Sequence, residues 1–265
     1  KMDRLKIKRR VQLKKPYLIV AWPGMGDVAY KAASYLVEYL KAEELASIEA
    51  EGFFYLTGSV IQSGILEAPQ LPESKFYFWK NPAKNFGGKT GGNDLIIFLS
   101  NAQPDLSKAD IYSREILKLA DKFMVETVVS FASMPQATDH TQDSRVWFAA
   151  TDKKIKESIK KYNFSSLEDG QISGMNGLFL GMAKKAGLKG FCLLGDIPLY
   201  TIQIENPKAS AAVLEGLGKI LNIQIDAQPL RDQAKIMENE INKLLDYLKL
   251  GSPGQSSPIG EEEVE

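Results

Sequence analysis

Short β-branched and aromatic runs alternate with amphipathic stretches along most of this chain. The runs at residues 17–22, 53–56, 75–79, 94–100, 127–131, 146–150 and 190–194 are rich in Val, Ile, Phe, Tyr and Trp and predict strands. Between them, Val28, Ala29, Ala32, Ala33, Leu36, Val37 and Leu40 recur at helical spacing. Similar periodicity covers 109–124, 153–162, 174–186, 208–221 and 230–248. Strands interleaved with helices predict a three-layer α/β domain, a mostly parallel sheet with helices on both faces. No internal repeat or linker divides residues 16–250, so one domain is expected there.

The ends read differently. Eight of the first fifteen residues are Lys or Arg, and within this basic arm Leu5 and Ile7 alternate with charges. That pattern fits an edge strand whose charged outward positions discourage pairing, or a docking arm. Residues 251–265 pass through Ser, Pro and Gly into Glu261, Glu262, Glu263, Val264 and Glu265, the composition of a disordered acidic tail.

Composition narrows the partners. With 44% hydrophobic and 25% charged residues, the 265-residue chain can bury one substantial core. Lys plus Arg and Asp plus Glu are equal at 33 each, so no net field draws the chain to nucleic acid or an anionic membrane. The single cysteine, Cys192, excludes an internal disulfide framework and suits a reducing compartment. No apolar stretch approaches the roughly 20 residues of a membrane span, and the first residues lack the apolar core of a signal peptide. A cytoplasmic location is expected.

Three segments invite a chemical reading. The strand at 17–22 runs through Trp22, Pro23, Gly24, Gly26 and Asp27 directly into a helix, with Gly24, Gly26 and Ala29 in the glycine positions of a dinucleotide fingerprint. Glu49 or Glu51 stands about where a ribose-binding acid would. The alternative is a tight structural turn with Asp27 as an N-cap acid, which would compete with a pyrophosphate for the same helix amides. The run 83–90 ends like a P-loop, but Ala83 replaces the first glycine and a strand rather than a helix follows. Hydrolytic machinery lacks parts. His140, the only histidine, lies in a polar loop with Asp139 and Asp143, Cys192 sits in an apolar strand, and no Gly-x-Ser-x-Gly elbow occurs. No metal site of ordinary spacing is present. No catalytic residue, cofactor or metal ligand is therefore nominated, and nucleotides are expected not to bind.

In the last helix, Leu230, Ala234, Met237, Ile241, Leu244 and Leu248 follow spacings of 4, 3, 4, 3 and 4, an a/d seam across almost three heptads. The seam fits either the chain's own core or a neighbouring helix. Ile236, Leu245 and Tyr247 add apolar surface away from it, and Ile236 with Tyr247 is the candidate homo-oligomer contact.

Two separated blocks carry a family likeness. The first runs from Pro16 through Trp22-Pro23-Gly24-Met25-Gly26-Asp27 to a helix ending at Glu38 to Ala46. The second comprises Ile172-Ser173-Gly174-Met175-Asn176-Gly177, then Gly187 through Gly195-Asp196-Ile197-Pro198-Leu199-Tyr200, then Asn206-Pro207-Lys208-Ala209 opening another helix. In this order, over about residues 16–248, the chain resembles the proteasome assembly chaperone family. The resemblance implies a phosphorylase/hydrolase-like α/β domain and an oligomeric protein-binding role without catalysis. Its partners would be other proteins, among them proteasome subunits where the source has a proteasome. Members that dock through a C-terminal tail end in a hydrophobic residue, a tyrosine and one more residue. The stretch Glu263-Val264-Glu265 departs from that pattern. A candidate ligand or partner site follows at Trp22, Pro23, Gly24, Gly26, Asp27, Gly195, Asp196 and Tyr200, because the two loops leave parallel strands at one end of the sheet. The competing reading is a nucleotide or small-molecule enzyme built on the Gly24/Gly26 turn.

Overall fold

The computed structural model describes residues 4–56, 58–82 and 92–250. In chain order the elements are β1 (Leu5–Ile7), β2 (Tyr17–Ala21), α1 (Val28–Tyr39), β3 (Glu43–Ile48), β4 (Ile61–Gln62), β5 (Ile65–Leu66), β6 (Ser74–Trp79), β7 (Leu95–Ser100), α2 (Ala109–Lys122), β8 (Thr127–Gln136), β9 (Val146–Ala150), α3 (Lys153–Lys160), β10 (Ser165–Ser166), α4 (Met175–Lys185), β11 (Lys189–Pro198), α5 (Pro207–Leu221) and α6 (Gln228–Leu250). Among the described residues, nine strands form one sheet in the order β1-β3-β6-β7-β2-β8-β11-β9-β10, and β4 pairs only with β5.

The four central strands β7, β2, β8 and β11 run parallel, with antiparallel neighbours on both flanks. They read as nearly unbroken apolar runs because both faces are covered. Leu18 and Val20 of β2 face a core shared with α2 and α4, while Ile19 and Ala21 face a second core shared with α1, α5 and Leu230 of α6. Local signals place the helix ends. Asp152 accepts from the Ile155 amide ahead of α3, Asn206 accepts from the Ala209 amide with Pro207 in the first turn of α5, and Asn222 closes α5 in the left-handed region. The three-layer α/β arrangement is the one the pattern predicts.

Three expectations need correction. Residues 53–56 are not a strand. Phe53 and Phe54 turn inward and pack on Tyr112, with ring centroids 4.9 and 5.8 Å away. The strand lies earlier, at β3, in residues placed at the end of the first helix. Leu40 still has right-handed angles, but Lys41 enters the left-handed region at φ 50° and breaks the helix, and pairing with β1 and β6 overrides the helical preference of Glu, Leu and Ala. Residues 195–198 are not a loop either. β11 continues through them beside β8, which itself runs on to Gln136.

At the sheet edge, β1 pairs antiparallel with β3, and Lys6, Lys8 and Arg9 form ion pairs with Glu49, Glu44 and Glu43. The P-loop-like run 83–90 lies outside the described residues, and so does the acidic tail.

Candidate functional site

The turn after β2 is built from unusual backbone. Gly24 is extended, Gly26 has φ 63° and Asp27 has φ 46°, so two consecutive residues occupy the left-handed region before α1 starts. Neighbouring segments hold this geometry. The Gly26 amide donates to the Ile202 carbonyl at 2.9 Å, and the Asn206 amide donates to the Gly26 carbonyl at 2.8 Å. The Gln103 side chain donates to the Pro23 carbonyl at 2.7 Å and accepts from the Met175 amide at 3.0 Å. Asn176, buried at the start of α4, accepts from the Trp22 amide and donates to the Trp22 carbonyl. A side chain on Gly26 would meet Ile197 and Asn206 at 3.3 Å. The turn and the segment after β11 are thus in direct contact at the carboxyl ends of the parallel strands.

The eight candidate residues do not form one cluster. Pro23 and Gly24 sit on the accessible side of the turn, with Met25 exposed beside them. Trp22 is fully buried among Phe98, Tyr112 and Phe179, so its indole belongs to the core. Gly195 lies in β11 where a Cβ would come within 2.9 Å of the Ala209 carbonyl oxygen, so its role is to let α5 approach the sheet. Asp196 alternates with Ile197 and points to the opposite face of the sheet. There it accepts from Arg145 Nε at 2.7 Å and Trp147 Nε1 at 2.5 Å, away from Asp27. Tyr200 is exposed but turns its hydroxyl to the His140 amide at 2.9 Å and to His140 Nδ1 at 2.7 Å.

Asp27 is the chemically distinctive member. It occupies the position before α1 but makes no capping bond, contrary to the N-cap reading, because its left-handed backbone directs the carboxylate elsewhere. Its Oδ1 is buried without a hydrogen-bond partner. Burial, seconded by Glu205 and opposed by Lys31, pushes the Asp27 carboxyl up to about 6. Lys31 is itself paired with Glu205 at 2.8 Å. The helix start is therefore acidic, the wrong sign for a pyrophosphate.

The sheet order removes the rest of the dinucleotide geometry. β2 is flanked by β7 and β8, whereas β3, which precedes Glu49 and Glu51, stands three positions away, roughly 14 Å at the usual strand spacing. Glu49 pairs with Lys6 instead. The space beside the turn is a cavity of about 180 Å³ lined by Met25, Ala29, Ser133, Met134, Asp169 and Asn176, among others. It is smaller than the roughly 300 Å³ at which ligand pockets begin, and Asn176, its buried amide, is committed to Trp22.

The sequence reading missed the surroundings of His140. The residue is buried, and its Nε2 lies 2.9 Å from Asn242 Oδ1 on α6, while the Lys208 ammonium donates to the His140 and Gln142 carbonyls and pairs with Glu238 of α6. A lone histidine in a polar stretch gave no sign of a partner 102 residues later. Cys192 is buried, and that burial pushes its thiol up to about 12, which removes it as a nucleophile. Among the described residues no cluster of three metal-ligating side chains occurs, and no helix is long and apolar enough to cross a membrane.

Comparison with known proteins adds a family profile. The model of the PAC2 family matches residues 18–245. The uncharacterized protein MJ1210 of Methanocaldococcus jannaschii is 28% identical over 263 residues, 98% of this chain and 95% of that protein. Crystal structures of two Pyrococcus furiosus proteins share the fold. PbaB, described as an archaeal proteasome activator, is 26% identical with a TM-score of 0.77 over 92% of this chain and 99% of PbaB. PbaA, described as an archaeal homolog of proteasome-assembly chaperone, is 23% identical with a TM-score of 0.70 over 93% of each chain.

Proposed function

The chain belongs to the PAC2 family, and from that membership we propose that it is an oligomeric, protein-binding chaperone of assembly, working in the cytoplasm without catalysis. The observation that carries this reading is the state of the carboxyl-end crevice. Where an α/β enzyme of this layout would hold its ligand, the turn's own backbone is bonded to Gln103, Asn176, Ile202 and Asn206. The space left is small and its buried amide is spent. The names borne by PbaB and PbaA support proteasome subunits as the partner class where the source has a proteasome. Nucleic acid and membranes are not partners in this reading.

The contact surface we assign is the accessible rim of the two adjoining loops, Pro23, Gly24 and Tyr200, with Trp22, Gly26, Asp27 and Gly195 holding the turn and its neighbouring strand in place, while Asp196 faces the other side of the sheet and lies outside this surface. The chain divides into a basic edge segment at 1–15, one α/β domain at 16–250 and an acidic tail at 251–265. Ile236 and Tyr247 on α6 belong to a homo-oligomer contact.

The test uses purified chain and purified proteasome α-subunits from the same source, mixed and resolved by native mass spectrometry. A discrete complex that weakens at least tenfold when Tyr200 and Gly24 are replaced by Asp is the expected result. Micromolar binding of NAD or ATP by calorimetry, abolished by Gly26→Val, would replace this reading with the enzyme.

A further inference from the structure

Between β3 and β6 the chain leaves the domain at Tyr55 and returns at Leu71. Over this stretch Tyr55, Leu56, Val60, Ile61, Ile65 and Leu66 are each 54 to 70% exposed. β4 and β5 pair Ile61 with Leu66 and Gln62 with Ile65 around a Ser63-Gly64 turn whose φ angles are 51° and 78°. The hairpin has a set register but no core of its own, since apolar side chains on both of its faces meet solvent. A lone two-stranded hairpin is marginal in water, and a contiguous apolar patch of this kind marks a contact surface. Glu67 is the one charged residue in 55–71, so the surface that covers the arm must itself be apolar and uncharged.

Such a surface lies on the same face of the molecule. The outer side of α4 and the segment before it form an open groove of about 630 Å³ lined by Leu106, Ile172, Leu178 and Met182, with only Lys185 charged. The root of the arm is fixed at its rim. The Asp105 amide donates to the Phe53 carbonyl at 2.8 Å, the Tyr55 hydroxyl donates to Asp105 Oδ2 at 2.9 Å, and Leu106 is the next residue.

We propose that two copies of this chain associate about a two-fold axis, the β4–β5 hairpin of each lying in the Leu106–Met182 groove of the other. Arm and groove on one face make that face self-complementary, because a two-fold operation brings arm to groove and groove to arm at once. A foreign partner would have to supply both halves. The six exposed arm side chains present on the order of 800 Å², which is about what each partner contributes to a standard stable interface. The proposal names a second assembly surface, on the α2–α4 side of the sheet, opposite the α5–α6 side that carries Ile236 and Tyr247.

Cross-linking tests it directly, since Cys192 is buried and leaves the surface without a thiol. The variant with both Ile65→Cys and Leu178→Cys is oxidised and run on a non-reducing gel, with each single variant as a control. A band at twice 29.4 kDa in the double variant alone is expected. The variant Ile61→Asp with Ile65→Asp is expected to halve the mass by light scattering, with circular dichroism unchanged. A disulfide formed only within one chain, a dimer from Ile65→Cys alone, or a mass indifferent to the aspartates would each overturn the proposal. None of these outcomes bears on proteasome-subunit binding or on α6, so its failure is separable from that of the family-based reading.

Discussion

The side chain of Asn176 closes on both backbone polar groups of Trp22, accepting from its amide and donating to its carbonyl, each at 3.0 Å. One residue at the start of α4 thus secures the end of β2 and sets where the Pro23–Asp27 turn begins. Both Trp22 groups are buried, so removing their partner leaves two polar groups unsatisfied. Asn176→Ala is expected to destabilise by about 2–4 kcal/mol, read as a lower urea midpoint with an unchanged slope. Asn176→Asp keeps the acceptor and, once ionised, loses the donor, so at neutral pH it is expected to be destabilised, whereas at low pH the neutral carboxyl regains an O–H donor and should fall between wild type and alanine.

Asp27 gives the turn a pH dependence whose sign follows from the raised carboxyl. A folded-state value of about 6 against an unfolded value of 3.8 means that the folded chain holds the proton more tightly. The ionised carboxylate therefore opposes folding above about pH 6, and this penalty disappears as pH falls from 6 toward 4. Asp27→Asn is expected to raise stability at pH 8 by about 1 kcal/mol, discounted for the group's partial solvent access. The gain should vanish at pH 4. Paired urea titrations at the two pH values measure the difference, and an equal effect at both would show that charge is not the cause.

Two glycines are close-approach positions. A Cβ on Gly195 would lie 2.9 Å from the Ala209 carbonyl oxygen, so α5 would have to move off the sheet. A side chain on Gly26 would be strained by φ 63° as well as crowded by Ile197 and Asn206. Gly195→Ala is expected to cost about 2–3 kcal/mol and Gly26→Val more. Thermal melts rank them, and a wild-type melting temperature for Gly195→Ala would contradict the contact.

What the sequence disclosed depended on range. The central strands and the amphipathic helices are legible because their periodicity is local: β9 and the start of α2 fall where the pattern puts them. β3 is not, because Glu43–Ile48 is a strand only by virtue of its neighbours β1 and β6. At the candidate site, glycine spacing marks the turn, and parallel strands correctly bring it beside the segment after β11. The same spacing says nothing of Asn176 and Gln103, which meet the turn from residues 154 and 80 positions away. Asp196 and Tyr200 are neighbours of the turn in the motif, yet strand alternation sends Asp196 to the other face, and His140 claims Tyr200.

The last helix divides along its length. Leu230 and Ala234 at the head of the a/d seam are buried against the domain, and Arg231 forms a paired contact with Glu215 of α5 at 2.7 and 2.8 Å. Met237 and Ile241 are only partly covered, and Leu244, still on the seam, is 53% exposed. The chain's own core therefore accounts for the first half of the seam and not for the second. Beyond the seam, Ile236 is 60% and Tyr247 75% exposed, and eleven residues of helix bring them to nearly the same side. Lys208 with Glu238 and His140 with Asn242 tether this half to the domain at its polar side, which keeps the apolar positions presented outward. Replacing Ile236 and Tyr247 by Lys removes this apolar surface without touching the buried residues, so circular dichroism should not change. The expected result is a fall in mass by light scattering at micromolar chain concentration, reversed when salt-insensitive apolar residues such as Leu are restored at both sites. A mass equal to that of the unmodified chain would show that α6 presents these side chains to something other than its own copy.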